Sequence, residues 1–231
     1  MIKDNLQSVQ NRIANACERA GRSADEVQLI AVSKTQPPER IEEAYRAGQR
    51  HFGENKAQEL TAKKPLLPPD IIWHFIGNLQ RNKVKYLVGE VALIHSVNSL
   101  ALAREIERIA AARNLVQDIL VEVNIGEEAS KQGSLIPQAE EILLSMKELP
   151  HLRTRGLMAV APFSEDEEAV RPYFVKMREL LNQWKPLLPE PEAFDCLSMG
   201  MSGDYEAAVE EGARYVRVGT AIFGERHYSA N

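Results

Sequence analysis

The stretch Val27–Thr35, VQLIAVSKT, reads as a β-strand of apolar and β-branched residues that delivers one lysine, Lys34, at its end. Pro37 and Pro38 stop the strand and open a helix. Outward from this unit the same rhythm repeats. Strand-like runs fall at 27–33, 51–54, 71–77, 92–97, 118–124, 154–160, 196–200 and 215–219. Helix-like segments lie near 37–47, 54–63, 79–88, 99–113, 136–148, 165–186 and 203–211, with a short one from about 220. Ahead of them all, residues 4–20 place Leu6, Val9, Ile13, Ala16 and Ala20 at helical spacing, and Gly21 ends that helix. Eight strands alternating with helices predict parallel strands joined by crossovers, and 231 residues fit the lower end of a (β/α)8 barrel. The rival is an open doubly wound sheet, which calls for a glycine-rich phosphate loop after its first strand. This chain has SKTQPP there. The expectation is an α/β protein: one TIM barrel with an extra N-terminal helix, a single domain over residues 1–231.

Composition narrows the function. Lys plus Arg number 28 against 33 Asp plus Glu, a formal charge of −5, which carries no electrostatic footprint for nucleic acid. The basic cluster RNKVK at 81–85 is explained by a solvated helix start. No signal peptide opens the chain and no apolar run approaches membrane-spanning length. Cys17 and Cys196 stand apart without metal spacing and read as reduced thiols, so a cytoplasmic setting is expected. The five histidines form no metal-ligand pair, and no metal site is expected.

In a barrel the C-terminal ends of the strands converge on one face, where active sites lie. Those ends here are Lys34, Glu54 and Asn55, His74 with Ile76–Gly77, Asn124, Met158, Ser198–Ser202 and Arg217–Thr220. An ammonium where a core strand runs out is costly unless paired or used chemically, and burial lowers its pKa towards a free, nucleophilic amine. A lysine that simply reaches solvent is the other reading. After strands 7 and 8, Gly200, Ser202 and Gly203, then Gly219 and Thr220, offer backbone N–H groups and hydroxyls to a phosphate. An ordinary helix-capping turn is the plainer reading of SMGMSGD. In YVRVG, alternation sends Val216 and Val218 to one face and Arg217 to the other, into the barrel. A buried guanidinium needs an acceptor, either a carboxylate such as Glu54 or a ligand atom such as a heteroaromatic nitrogen. An amine nucleophile, a phosphate cradle and an inward arginine together match the needs of pyridoxal 5'-phosphate. An arginine does not readily give up a proton, so the pyridine facing it stays largely unprotonated and is a weak electron sink.

The segments AVSKT (31–35), FGEN (52–55), WHFIGNLQRNK (73–83), RGLMA (155–159), LSMGMSGD (197–204) and VRVGTAIFGER (216–226) resemble, in this order and over nearly the whole chain, the pyridoxal 5'-phosphate homeostasis proteins. These share the barrel of fold-type III pyridoxal enzymes such as alanine racemase. The resemblance implies that Lys34 holds the cofactor as a Schiff base. It also implies that Asn55 and Ile76 line the ring, that Met201, Ser202, Gly219 and Thr220 bind phosphate, and that Arg217 faces the ring nitrogen. His74 is inferred from strand position alone. Lys131 lies on the same face as a secondary contact or, more simply, a solvated loop lysine. Gln36 stands two after Lys34, so no second lysine adjoins it there. Racemases of this type add a second β-domain and pair subunits to supply an opposing acid–base residue. This chain shows neither, and only Tyr205 and His74 stand as candidates for that base. The expected function is non-catalytic binding of pyridoxal phosphate in its homeostasis, buffering it or delivering it to apo-enzymes, by a monomer with no nucleic-acid or membrane partner. The alternatives are a fold-type III enzyme, a racemase or decarboxylase, and a cofactor-free Schiff-base aldolase.

Overall fold

Side-chain parity along the strands builds this molecule. In the computed structural model, which describes residues 1–127, 132–164 and 166–224, Val216 and Val218 point outward into a buried layer with Leu29, Ala31, Leu197 and Met199, under the helices. The opposite parity faces inward. Leu93, Leu120, Met158 and Cys196 form a small apolar cluster inside the barrel, with Tyr215 against it. The remaining inward positions include polar residues, His74, His95, Glu122, Ser198 and Arg217, all buried.

The strands are β1 (Gln28–Val32), β2 (His51–Glu54), β3 (Ile72–Phe75), β4 (Leu93–Val97), β5 (Gln117–Val123), β6 (Leu152–Ala159), β7 (Cys196–Ser198) and β8 (Tyr215–Val218). They pair in parallel in sequence order and close into a barrel, with Ile30 opposite Arg217 where β1 meets β8. The helices are α1 (Ile2–Arg19), α2 (Pro38–Arg46), α3 (Ala57–Lys63), α4 (Leu100–Ala112), α5 (Ile136–Leu144), α6 (Glu167–Trp184), α7 (Tyr205–Glu210) and α8 (Thr220–Phe223). The α-helix expected near 79–88 is instead a 3-10 segment, Arg81–Tyr86, in which Val84 alone is buried. One inward side chain gives too little apolar stripe to hold an amphipathic α-helix, and short 3-10 pieces serve such connections.

Helix α8 is only four residues long, too short to cover the seam between β8 and β1. Helix α1 packs against α7, α8 and α2 and so completes the outer ring there. Its buried stripe, Ile2, Leu6, Val9, Ile13, Ala16 and Cys17, has the helical period that the sequence showed. Both cysteines are buried and free. Among the described residues no helix is long and apolar enough to cross a membrane, and no cluster of metal-ligating side chains forms.

Candidate cofactor site at the C-terminal mouth

A cavity of about 510 Å³ opens at the C-terminal ends of the strands, within the range of small-molecule pockets. Lys34, Asn55, Ile76, Met201, Ser202, Arg217, Gly219 and Thr220 all line it. The eight side chains and backbone positions singled out from the sequence are thus brought to one place. A larger groove of about 710 Å³ lies outside the barrel around Leu60, Trp73 and Tyr86, away from these groups.

Lys34 follows β1 and is half-buried. The next residue, Thr35, has φ 65°, a left-handed conformation that costs a β-branched residue about 1–3 kcal/mol. Its N–H donates to Glu59 Oε2 at 2.9 Å, which holds the turn. Glu59 is itself tied to Lys63, a buried lysine on α3. Lys63 Nζ donates to Ser33 O at 2.9 Å and to Glu54 Oε1 at 2.8 Å, and Ser33 Oγ donates to the same Glu54 oxygen at 2.7 Å. The strand end that carries Lys34 is therefore braced from behind by a second lysine. Burial pushes the Glu54 carboxyl above the ordinary carboxylate range, and Lys63 pulls it back only in part.

Two glycines set the approach of the loops. At Gly77 a Cβ would lie 2.2 Å from Asn55 O, so only glycine lets the exit of β3 cross Asn55 and bring Ile76 beside it. Gly200, at φ 89°, would place a Cβ 2.6 Å from that of Ala208, and the turn it makes aims its carbonyl at the Arg217 N–H, 3.0 Å away. Ser202 Oγ accepts from Gly219 N–H at 3.3 Å, which joins the loops after β7 and β8 into one wall. Asp204 Oδ1 accepts from Met201 N–H at 2.6 Å, so the carboxylate, not Ser202, closes that turn.

Arg217 points inward, as parity requires, and is 5% exposed. Its acceptors correct one expectation: Glu54 belongs to Lys63, while Arg217 donates to Ser198 Oγ at 2.6 Å and to Ala159 O at 2.9 Å. Burial lowers its pKa to about 10, with Asp204 and Glu122 acting against that, so the guanidinium stays charged at neutral pH. Glu122 sits below the mouth with one oxygen unpartnered, and burial raises its carboxyl to about 7, with Arg217 holding it down. Asn55 Oδ1 is likewise buried without a partner.

Other expectations fall elsewhere. His74 does not line the cavity; it lies in the barrel interior between His51 and His95. Tyr205 is buried in the outer core with Arg12 over its ring, 5.4 Å from the centroid, and so faces away from the cavity. Met158 belongs to the inner apolar cluster, and Lys131 lies outside the described residues. The sequence reading missed the wall formed by Val160–Ser164 and Asp204. Reading β6 through to residue 160 hid it; Pro162 was the available signal that the strand stops sooner.

A closed parallel barrel with a lysine after its first strand and an inward arginine on its last defines the class, and the family model described as "Alanine racemase, N-terminal domain" matches residues 5–227. The chain is 47% identical over 230 residues to the pyridoxal phosphate homeostasis protein of Aquifex aeolicus, covering 97% of this chain and 98% of that one. It is 40% identical to the protein of the same name from Escherichia coli, covering 99% and 98%. It therefore belongs to the family of pyridoxal phosphate homeostasis proteins. The structure of PipY from Synechococcus elongatus with PLP bound is 37% identical, with a TM-score of 0.81, and covers 97% of this chain and 100% of that one. An alanine racemase of Clostridium difficile, at 16% identity and TM-score 0.69, shares the fold; the match covers 99% of this chain but 58% of the enzyme.

Proposed function

We propose that this protein binds pyridoxal 5'-phosphate covalently through Lys34 and serves its homeostasis as a buffer or donor, without turning over amino acids. The carrying observation is the convergence of an amine, a charged inward arginine and a hydroxyl-bearing double loop on one open cavity. The donor set suits the cofactor's three handles. Lys34 presents its amine to the aldehyde. Ser202 and Thr220, with the backbone around Gly219, present hydroxyl and N–H groups to a phosphate. Arg217 keeps donors of its planar fork for a ring nitrogen, since Ser198 and Ala159 take only one each from Nη1 and Nη2. Asn55, with an unpartnered oxygen, has hydrogen-bonding capacity to spare beside Ile76.

The cofactor, when bound, supplies an electrophilic carbon and a conjugated ring able to delocalise charge. What this chain does with that ring is restrained. A guanidinium that stays charged at neutral pH would donate a hydrogen bond to the ring nitrogen without giving up its proton, which would leave that nitrogen neutral and the electron sink weak. Among the described lining residues, the ionisable groups besides Lys34 and Arg217 reduce to Asp204, whose carboxylate is engaged by Met201. No tyrosine or histidine lines the cavity there to serve as an opposing acid–base group.

The test is an absorption spectrum of the protein with pyridoxal phosphate, followed by borohydride reduction and peptide mapping. A visible band that bleaches, with the adduct on Lys34, is expected; a colourless mixture overturns the cofactor reading. Acceleration of apo-enzyme reconstitution over free cofactor at equal concentration separates delivery from buffering. Exchange of an amino acid's α-hydrogen in deuterated water would replace the non-catalytic reading with an enzymatic one.

A further inference from the structure

Behind Arg217 a row of hydrogen bonds crosses the barrel interior. Ser198 Oγ lies 2.6 Å from Arg217 Nη1 and 2.9 Å from His95 Nδ1. His95 Nε2 lies 3.0 Å from His74 Nδ1, and His74 Nε2 lies 2.9 Å from His51 Nδ1. The row joins β8, β7, β4, β3 and β2. It ends at half-buried His51, which lines a groove at the N-terminal mouth with Gln10, Gln28 and Ile72. Barrel register makes this possible. Gly53 is paired with His74 and His74 with Leu93, so each histidine reaches the inward position one step up on the next strand.

The chemistry gives the row a direction. Arginine donates and never accepts. Ser198 Oγ must therefore receive from Arg217, and among the described residues its own hydrogen has one acceptor, His95 Nδ1. A neutral His95 then carries its proton on Nε2 and donates to His74 Nδ1. His74 repeats the arrangement towards His51. Every contact holds one hydrogen, all pointing away from Arg217, and no ring needs a charge.

We propose that His95 and His74 are positioning residues, which through Ser198 fix the direction of the Arg217 guanidinium in the cavity by a tautomer-locked relay running to His51. Burial supports it independently: His74 is lowered to about 3 and His95 lies well below the ordinary imidazole value, so both rings are neutral at pH 7. The cofactor readout below rests on the proposed function; the relay itself does not.

Two measurements test this. Long-range proton–nitrogen correlation spectra of the nitrogen-15-labelled protein without cofactor, at pH 7, report each ring's tautomer. The expected result is a single neutral Nε2–H form for His51, His74 and His95, and a redistribution between tautomers in Ser198→Ala. An Nδ1–H form at His74 or His95, or a pattern unmoved in Ser198→Ala, overturns the relay. Second, His95→Leu and His95→Asn are titrated with pyridoxal phosphate, with folding checked by near-ultraviolet circular dichroism. Loss of the contact in His95→Leu raises Kd about tenfold, the worth of one hydrogen bond of about 1.4 kcal/mol, and moves the absorption maximum. His95→Asn, whose Oδ1 replaces the Nδ1 acceptor, restores both. A folded leucine variant that binds as wild type does, or no rescue by asparagine, overturns the positioning role. If the wild type takes up no pyridoxal phosphate, the cofactor reading fails and the tautomer spectra alone decide the relay.

Discussion

At the N-terminal mouth of the barrel, two buried glutamines are answered within the protein. Gln49 Nε2 donates to Leu29 O at 2.7 Å and to His51 O at 2.6 Å, while Gln117 accepts from Gly89 N–H at 2.9 Å and donates to Val91 O at 3.2 Å. At the C-terminal mouth the pattern reverses. Oxygens of Asn55, Glu54 and Glu122 are buried without a partner, Thr35 is held in a left-handed turn, and Lys34 sits half-buried beside open space. Unmade hydrogen bonds and strain cost stability, so they persist only where the rest of the structure over-determines the fold or a ligand answers them. One end of this barrel keeps the molecule together; the other is prepared for something it does not itself contain.

The largest effect expected from this contrast separates two lysines bordering the same strand end. Lys63→Met strands Glu54 as a buried charge without its partner, a loss of about 3–5 kcal/mol. A kilocalorie shifts Tm by about 2–4 °C in a domain of this size, so thermal melts should fall by roughly 6–20 °C. Lys34→Met leaves the Lys63–Glu54 pair in place, so the cofactor-free melt should fall less than in Lys63→Met. Equal losses in the two variants would erase the distinction.

Next in size comes pH. Glu122 has a folded pKa of about 7 against 4.5 ordinarily. Between those values the folded state holds a proton that the unfolded state has released. Its stabilising contribution is therefore complete below pH 4.5 and is lost as pH rises through 7, by up to about 3 kcal/mol. His74 and His95, with lowered pKa values, act in the opposite sense: their contribution is complete above pH 6.5 and is lost as pH falls. Glu122→Gln removes the first effect and leaves the second. Denaturant melts at pH 5 and pH 8 should show the variant gaining on wild type at the higher pH. A gap of the same size at both would sink the assignment.

Cofactor linkage ranks third. At a hundredfold excess over Kd, pyridoxal phosphate should stabilise the fold by about 2.7 kcal/mol. Lys34→Ala should lose the covalent share of that shift and keep the part due to phosphate. A variant with the full wild-type shift removes Lys34 from its assigned role. The smallest effect is expected on the outer ring. Arg12 pairs with Glu206 at the surface of α1, and Arg12→Ala should cost less than about 1 kcal/mol in a thermal melt.

Local patterns in the sequence reached far into this structure, and they failed where partners are distant in the chain. Apolar runs marked the eight strands, and parity alone turned Arg217 inward. Eight of the candidate positions met in one cavity because a parallel barrel directs every strand end to the same face, while His74 and Met158 lie deeper in the barrel. The pairing of Lys63 with Glu54 was hidden, since a lysine late in a helix carries no mark of the buried carboxylate it will meet. Glu54 was consequently offered to Arg217, which instead found the Ser198 hydroxyl and a backbone carbonyl. The histidine row was equally illegible: three residues spaced more than twenty apart become neighbours only through strand register and barrel stagger. The 3-10 segment at 81–86 escaped because charged residues with one buried valine fit a helical pattern without supplying a face to pack.

The position of α1 has a consequence for synthesis. This helix precedes every strand of the barrel in the chain, yet the surfaces that bury its apolar stripe belong largely to α7 and α8. At a translation rate of about 5–20 residues per second, its docking site is roughly 10–40 s away when α1 emerges. Until then an amphipathic helix waits with its face unburied, and the barrel has an open seam between first and last strands. The helix acts as a latch set ahead of the first strand and thrown around the last, so the ring becomes protease-resistant only once both are in place. Limited proteolysis of ribosome-stalled chains should find α1 cleavable up to a stall near residue 200 and protected once residues through 224 have emerged.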